Sequence, residues 1–139
     1  MRIEAVEEAG EADAERIARF LRRSNRQTMP RLDGATDFAF HIHDGAGEVV
    51  GGAMARKLLD WVYLDLLFVP ETARGTGIGR RLVERVETRA RQLGARGVWL
   101  VTFGFQARGF YERLGYELLG TLEGAAPEAD EHVMRKFLS

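Results

Sequence analysis

Apolar and polar positions alternate with period two over Phe38-Ala39-Phe40-His41-Ile42-His43, and a denser apolar run follows over Trp61–Val69. Period-two alternation sends successive side chains to opposite faces, so both segments read as strands. Between them, Asp44-Gly45-Ala46-Gly47 supplies a hairpin turn. Glu48–Leu58 supplies the returning strand, weakened or bulged at Gly51-Gly52, and Leu59-Asp60 a second turn. The three strands form an antiparallel meander whose last member, the most apolar, is central. After Pro70 the period changes. Ile78, Leu82, Val83, Val86, Ala90 and Leu93 mark one face of a helix over Gly77–Leu93, and Gly94 stops it. Gly97–Phe103 reads as a buried strand and Gln106–Leu114 as a short helix stopped by Gly115. Tyr116–Leu122 and His132–Leu138 read as two more strands, joined by a loop over Glu123–Asp130. At the start of the chain, Met1–Val6 suits a short strand. Glu11–Arg23 suits a helix with Ile17, Phe20 and Leu21 opposite Arg16, Arg19, Arg22 and Arg23. Ser24–Asp37, with Pro30 and Gly34, reads as a polar loop carrying a short helical turn.

This order predicts an α/β fold of mixed α+β character: a twisted, mostly antiparallel sheet of six or seven strands with helices on both faces, in a single domain over 1–139. Trp61–Val69, the helix after it and Gly97–Phe103 form a βαβ unit, whose strands are expected to be parallel and joined by a right-handed crossover.

Composition narrows the chemistry. The 139 residues include no cysteine, which removes disulfides, thiolate metal sites and a cysteine nucleophile. Twenty basic and 21 acidic residues give a net charge of -1, unlike a generally basic nucleic-acid binder. No run approaches the ~20 apolar residues of a membrane span. Residues 1–8 lack the apolar region of a signal peptide, so a cytoplasmic protein without membrane or nucleic-acid partners is expected. His41 and His43 share a strand face with Ala39, where they either line a pocket or face solvent; two such histidines without a carboxylate give no metal site.

A glycine-rich turn, Arg74-Gly75-Thr76-Gly77-Ile78-Gly79, leads from the central strand into the long helix. Glycines let the backbone approach a ligand closely, and the first N–H groups of a helix have no intrahelical partner and favour an anion. Phosphate binding is the chemistry this turn suits. The NTPase P-loop needs a lysine and Ser/Thr after its last glycine, which are missing. The dinucleotide fingerprint needs a glycine where Arg80 stands.

The same six residues satisfy Q/R-x-x-G-x-G/A, the acetyl-CoA signature of the GNAT superfamily of N-acetyltransferases, which the chain resembles. About 30 residues on, Ala107 to Tyr116 is similar to the superfamily's A-x-x-F-Y-x-x-x-G-F/Y element. The element order agrees as well. One departure is Gly104, about seven residues before the tyrosine, where many members carry asparagine; Phe103-Gly104-Phe105-Gln106-Ala107 is similar instead to a subgroup of small bacterial members.

The resemblance implies acetyl-CoA as acyl donor. The backbone of Leu67, Phe68 and Val69 would pair with the pantetheine arm in a splay against Gly97–Phe103. The amides of Gly75, Thr76, Gly77, Ile78, Gly79 and Arg80 would hold the pyrophosphate, and Arg74 and Arg80 would add charge, although Arg80 reads equally as a solvated helix residue. Tyr111 is the implied general acid for the departing thiolate. Asp65, a carboxylate in an apolar strand with Tyr63, Leu67 and Val69 on one face, is either the base for the incoming amine or the partner of an arginine at the core edge. The expected reaction is acetyl transfer to a primary amine of a small molecule by a homodimeric enzyme without a metal. The rival is an acyl-CoA-binding module without turnover.

Overall fold

A computed structural model describes residues 1–105 and 108–139, with the side chain of Asp33 outside the description. The chain divides into two units, Met1–Gly34 and Ala35–Ser139.

The first unit is one helix and a turn. Helix α1 spans Glu11–Thr28, opened by Gly10, whose N–H donates to Asp13 Oδ2 at 3.0 Å. The helix runs five residues past the expected end at Arg23, taking in Ser24–Thr28, which composition marks as loop. Exposed polar residues satisfy helical backbone bonds as readily as loop bonds, so composition does not set this end. Pro30 does: the residue before a proline is pushed out of the α region, and Met29 lies at φ -142°, ψ 89°. Pro30–Gly34 then forms a 3-10 turn. The strand expected over Met1–Val6 does not form, and Ile3 and Val6 are exposed. A six-residue segment that pairs with no strand carries too little to hold an extended conformation.

The second unit holds a six-stranded sheet. Its strands are β1 (Thr36–His43), β2 (Val49–Leu58), β3 (Trp61–Phe68), β4 (Gly97–Phe103), β5 (Glu117–Leu122) and β6 (Glu131–Phe137), in the spatial order β1-β2-β3-β4-β6-β5. All neighbours are antiparallel except β3 and β4, the pair of the βαβ unit. In the first hairpin Asp44 Oδ1 accepts from the N–H groups of Ala46 and Glu48, both at 2.9 Å, which fixes the turn. The β1–β2 register shifts beside Gly51, where Ile42 pairs with Gly51 but His43 with Val49.

Helix α2 (Ile78–Gln92) connects β3 to β4 and buries Leu82, Val83, Val86, Glu87 and Ala90. With Ala53, Ala55, Val62, Leu64, Val98, Leu100 and Met134, the apolar members of that set, Leu82, Val83, Val86 and Ala90, belong to the core; Glu87 is a carboxylate among them. Helix α3 (Arg108–Arg113) adds Tyr111. The expected start of that helix, Gln106 and Ala107, lies outside the described residues. A mixed, mostly antiparallel sheet flanked by helices is the fold expected from the element order.

Candidate active site

Strands β3 and β4 are paired only over Trp61–Tyr63 and Gly97–Trp99. Beyond Tyr63 and Trp99 they part, and a cavity of about 1060 Å³ opens between them. Its walls are the ends of both strands, Leu64–Val69 and Leu100–Phe103. Arg74, Gly75 and Gly79 border it from the glycine turn, and Phe105, Phe110, Tyr111 and Arg113 from the segment around α3.

A β-bulge contributes to the parting. On β2, Met54 and Ala55 are consecutive, but their partners on β3 are Leu66 and Leu64. Asp65 is the extra residue between them. A bulge bends and twists its strand, here at the mouth of the cleft. It also resets the alternation. Ala55 pairs with Leu64 and Ala53 with Leu67, and both alanines are buried on one face. Leu64 and Leu67 therefore share that face, although they are three residues apart. This corrects the expectation that Leu67 and Val69 lie on one face with Tyr63 and Asp65. Asp65 is exposed and lines the cleft. Its charge reaches Tyr63, whose phenol is pushed above its ordinary value, first by burial and then by that carboxylate.

At the other end of the cleft, Gly75 and Gly77 adopt φ of +76° and +84°, left-handed values that favour glycine, and a Cβ at either would meet open space. Gly77 caps α2, whose first backbone bond runs from the Arg81 N–H to the Gly77 carbonyl at 3.1 Å. The N–H groups of Ile78, Gly79 and Arg80 thus have no partner within the helix. Open glycine backbone before unpaired amides at a helix N-terminus fits a pyrophosphate. The Arg74 Nε donates to the Val69 carbonyl at 3.2 Å, which ties the loop to the end of β3. Arg80 pairs with Glu84 at 2.9 Å on the exposed face of α2, the arrangement of a solvated helix arginine.

Tyr111 sits on the wall formed by α3. Its residue is 9% exposed, and burial pushes the phenol up to about 12. A phenol so shifted keeps its proton at any physiological pH. Its ring meets Phe110 at 5.0 Å and Tyr116 at 5.8 Å, both edge to face.

Of the residues expected from sequence, Asp65, Leu67, Phe68, Val69, Arg74, Gly75, Gly79 and Tyr111 are thus brought to one cavity. Thr76, Gly77, Ile78 and Arg80 stand on the same turn without lining it. His41 and His43 border a separate small groove with Arg81 and Arg85, and both are exposed. Among the described residues no group of three or more His, Cys, Asp and Glu is placed to hold a metal. Sequence reasoning did not single out Leu100, Val101, Thr102 or Arg113, which also line the cavity. The signal for the β4 residues was their place opposite β3 in the βαβ unit.

The match to known proteins agrees with this geometry. The family model described as "Acetyltransferase (GNAT) family" matches residues 5–116. The chain belongs to the GNAT family of acetyltransferases. Blasticidin-S acetyltransferase of Streptomyces morookaense is 41% identical over 93 residues, which cover 66% of this chain and 68% of that relative. A crystal structure from Agrobacterium tumefaciens superposes with a TM-score of 0.91 at 28% identity, covering 99% of this chain and 100% of that one. A Bacillus anthracis structure in complex with acetyl coenzyme A shares the fold, with a TM-score of 0.65 at 18% identity over 74% of this chain and 63% of its own. No helix among the described residues of this GNAT protein is long and apolar enough to cross a membrane.

Proposed function

We propose that this protein transfers the acetyl group of acetyl-CoA directly to a primary amine of a small molecule. The observation that carries the reading is the parting of β3 and β4 beyond Tyr63 and Trp99, which brings the glycine turn before α2 and a buried phenol to one cavity.

The unpaired edge of β3 at Leu67–Val69 offers backbone groups to the pantetheine arm in the manner of an added strand. The amides at the start of α2 face the pyrophosphate, and Arg74 adds positive charge beside it. The amine nitrogen attacks the thioester carbonyl, its C–N bond forms, and the C–S bond breaks with the electron pair going to sulfur. Tyr111, neutral at working pH, gives its proton to that sulfur, and the proton that the nitrogen sheds on becoming an amide returns to the Tyr111 oxygen, directly or through water, which restores the phenol. An incoming ammonium must first lose a proton. Asp65, exposed at the cleft mouth, takes it directly or through water.

The acceptor class rests on the likeness to an enzyme named for acetylating blasticidin S. A cytoplasmic setting is part of the same reading. Residues 1–139 serve as one acetyltransferase domain. A homodimer is supported by the edge strand β5, all six of whose residues are exposed, Leu118, Leu119 and Leu122 among them.

Thiol release from acetyl-CoA, followed over a panel of small amines that includes blasticidin S and polyamines, tests the reading. Release with at least one amine is expected. Tight acetyl-CoA binding with no release from any of them would point to an acyl-CoA-binding module.

A further inference from the structure

Glu87 is a carboxylate on the buried face of α2, 4% exposed, among Val83, Val86 and Ala90. Taking a carboxylate out of water is costly unless both its charge and its lone pairs are answered. Here both oxygens are used. Oε2 accepts from the Tyr116 hydroxyl at 3.0 Å, and Oε1 accepts from Lys136 Nζ, also at 3.0 Å. The Lys136 ammonium lies 5.8 Å from the centre of the Tyr116 ring. One carboxylate therefore joins α2, the residue that leads into β5, and β6. A helix face that packs on a core needs only an apolar residue at this position, so the charged cluster calls for another account.

What the cluster holds is the ring of Tyr116, and that ring is an edge-to-face neighbour of Tyr111, at 5.8 Å and 72°. The Tyr116 N–H also donates to the Tyr111 carbonyl at 3.0 Å, so the two residues are tied through backbone as well as ring. Beyond its packing in the core and its edge-to-face contact with Phe110, the Tyr111 side chain has no polar anchor among the described residues. Its helix is six residues long, and its hydroxyl has no hydrogen bond to any described residue. A short helix is not rigid by its own ladder. The phenol keeps its place in the cleft through what packs behind it.

We propose that Glu87, braced by Lys136, is a positioning residue: by locking the Tyr116 hydroxyl it holds the Tyr111 ring so that its hydroxyl points into the cleft. The catalytic consequence rests on the reading of Tyr111 as the proton donor. Because Glu87 lies on α2, the same helix whose first turn faces the pyrophosphate, the cluster also sets the donor tyrosine and the phosphate site on one rigid frame. Small losses of position are expensive in such a site: a displacement on the order of 1 Å can cost up to about 100-fold in rate.

The test uses two variants that do not touch Tyr111. Glu87→Gln keeps an acceptor for the Tyr116 hydroxyl but removes the charge, and Lys136→Met removes the brace at a partly exposed site, so at least one is expected to fold. The protein has three tyrosines. Uniform 3-fluorotyrosine labelling therefore gives three fluorine NMR resonances, of which that of Tyr111 is assigned by its loss in Tyr111→Phe. Both variants are expected to shift or broaden the Tyr111 resonance while leaving the acetyl-CoA Kd unchanged. With the amine that gives the fastest thiol release, kcat should fall by up to about 100-fold. In a Tyr111→Phe background the same substitutions should lower kcat no further, because they act through the missing hydroxyl. A general loss of stability would instead act in both backgrounds alike. An unmoved Tyr111 resonance in the folded variants overturns the positioning role and leaves the proton-donor reading standing. A full kcat loss in the Tyr111→Phe background overturns it too. An unchanged kcat in Tyr111→Phe alone withdraws the donor reading, and the catalytic consequence of Glu87 with it.

Discussion

Tyr63 and Trp99 are the last partners in the parallel pairing of β3 and β4, and their rings meet at 4.3 Å between centroids on the sheet face opposite the core residues Val62 and Val98. The cleft starts at the next residue of each strand, so this aromatic pair is the hinge-side boundary of the site. Trp99→Ala should destabilise the fold by about 2 kcal/mol, less than a fully buried tryptophan because the residue is half-buried. It should also weaken acetyl-CoA binding, since the parting would spread into the paired segment. Urea unfolding and calorimetric titration read the two effects. A destabilised protein with the parental affinity would show that the splay is held elsewhere.

Gly77→Asp should abolish the rise in Tm that acetyl-CoA gives the parent protein by linkage. Aspartate is among the residues that tolerate the left-handed conformation, so φ of +84° at this position should be bearable. What it introduces is a carboxylate beside the amides proposed for the pyrophosphate. Gly94→Ala provides the control. Gly94 closes α2 at its other end, also left-handed at φ +77°. An alanine there costs about 1–2 kcal/mol and should lower Tm while preserving the ligand-induced shift. Equal shifts in Gly77→Asp and the parent would remove the phosphate site from this turn.

The strands and helices of Ala35–Ser139 were legible because each apolar run carries its own punctuation: Asp44–Gly47, Pro70, Gly94 and Gly115 stand where elements begin or end. The cleft was legible from the same signals, since a βαβ unit with glycines after its first strand brings that strand's end to the helix start. The bulge at Asp65 was not. Alternation is read by assuming one residue per step, and Leu64-Asp65-Leu66-Leu67 is apolar enough on both sides to fit either register. Only the partner strand decides, through Ala53 and Ala55. The extension of α1 over Ser24–Thr28 was hidden because polar residues look alike in an exposed helix and in a loop. The Glu87 cluster joins residues 29 and 49 positions apart in sequence. Nothing local marks Glu87 as different from the exposed Glu84 one turn before it.

Asp65→Asn separates the two roles open to that carboxylate. A carboxylate can take the proton of an incoming ammonium and a carboxamide cannot, so the variant should lower kcat/KM by about 10²–10⁴-fold, the range of a positioned base. Its stability should hardly change, because the side chain is exposed and makes no ion pair with any described residue. A kcat/KM equal to the parent's would leave the proton to water or to the amine's own equilibrium.

Alkaline unfolding should report the buried phenols. Tyr111 ionises at about 12 in the fold, against an ordinary value of about 10 in an unfolded chain. Tyr116 is shifted in the same direction by burial and then by the Glu87 charge. The unfolded state therefore releases protons first, and stability decreases as pH rises. The contribution of Tyr111 is fully present below about pH 10 and is lost between about pH 10 and 12, amounting to about 2–3 kcal/mol. Tyr111→Phe should lose less stability than the parent on going from about pH 9 to about pH 11, as measured by urea unfolding at both values. Parallel losses would mean that the Tyr111 phenol is not buried in solution.

Tyr111→Phe should lower kcat by about 10²–10⁴-fold, the range of a positioned general acid. The substitution keeps the ring, and with it the edge-to-face contacts to Phe110 and Tyr116, so α3 should stay folded. The hydroxyl makes no hydrogen bond to a described residue, so its removal leaves no orphaned partner. What is lost is the interaction with sulfur as the C–S bond breaks. That interaction is far stronger with a thiolate than with the intact thioester, so the loss falls on kcat and spares acetyl-CoA binding. Burial assists by keeping the proton on the phenol: the alkaline limb of kcat should show no ionisation from Tyr111 until pH nears about 12. The measurement is kcat for thiol release with a working acceptor, under conditions where chemistry limits the rate, alongside acetyl-CoA Kd. An unchanged kcat would leave Tyr111 as a packing residue and give the thiolate to solvent.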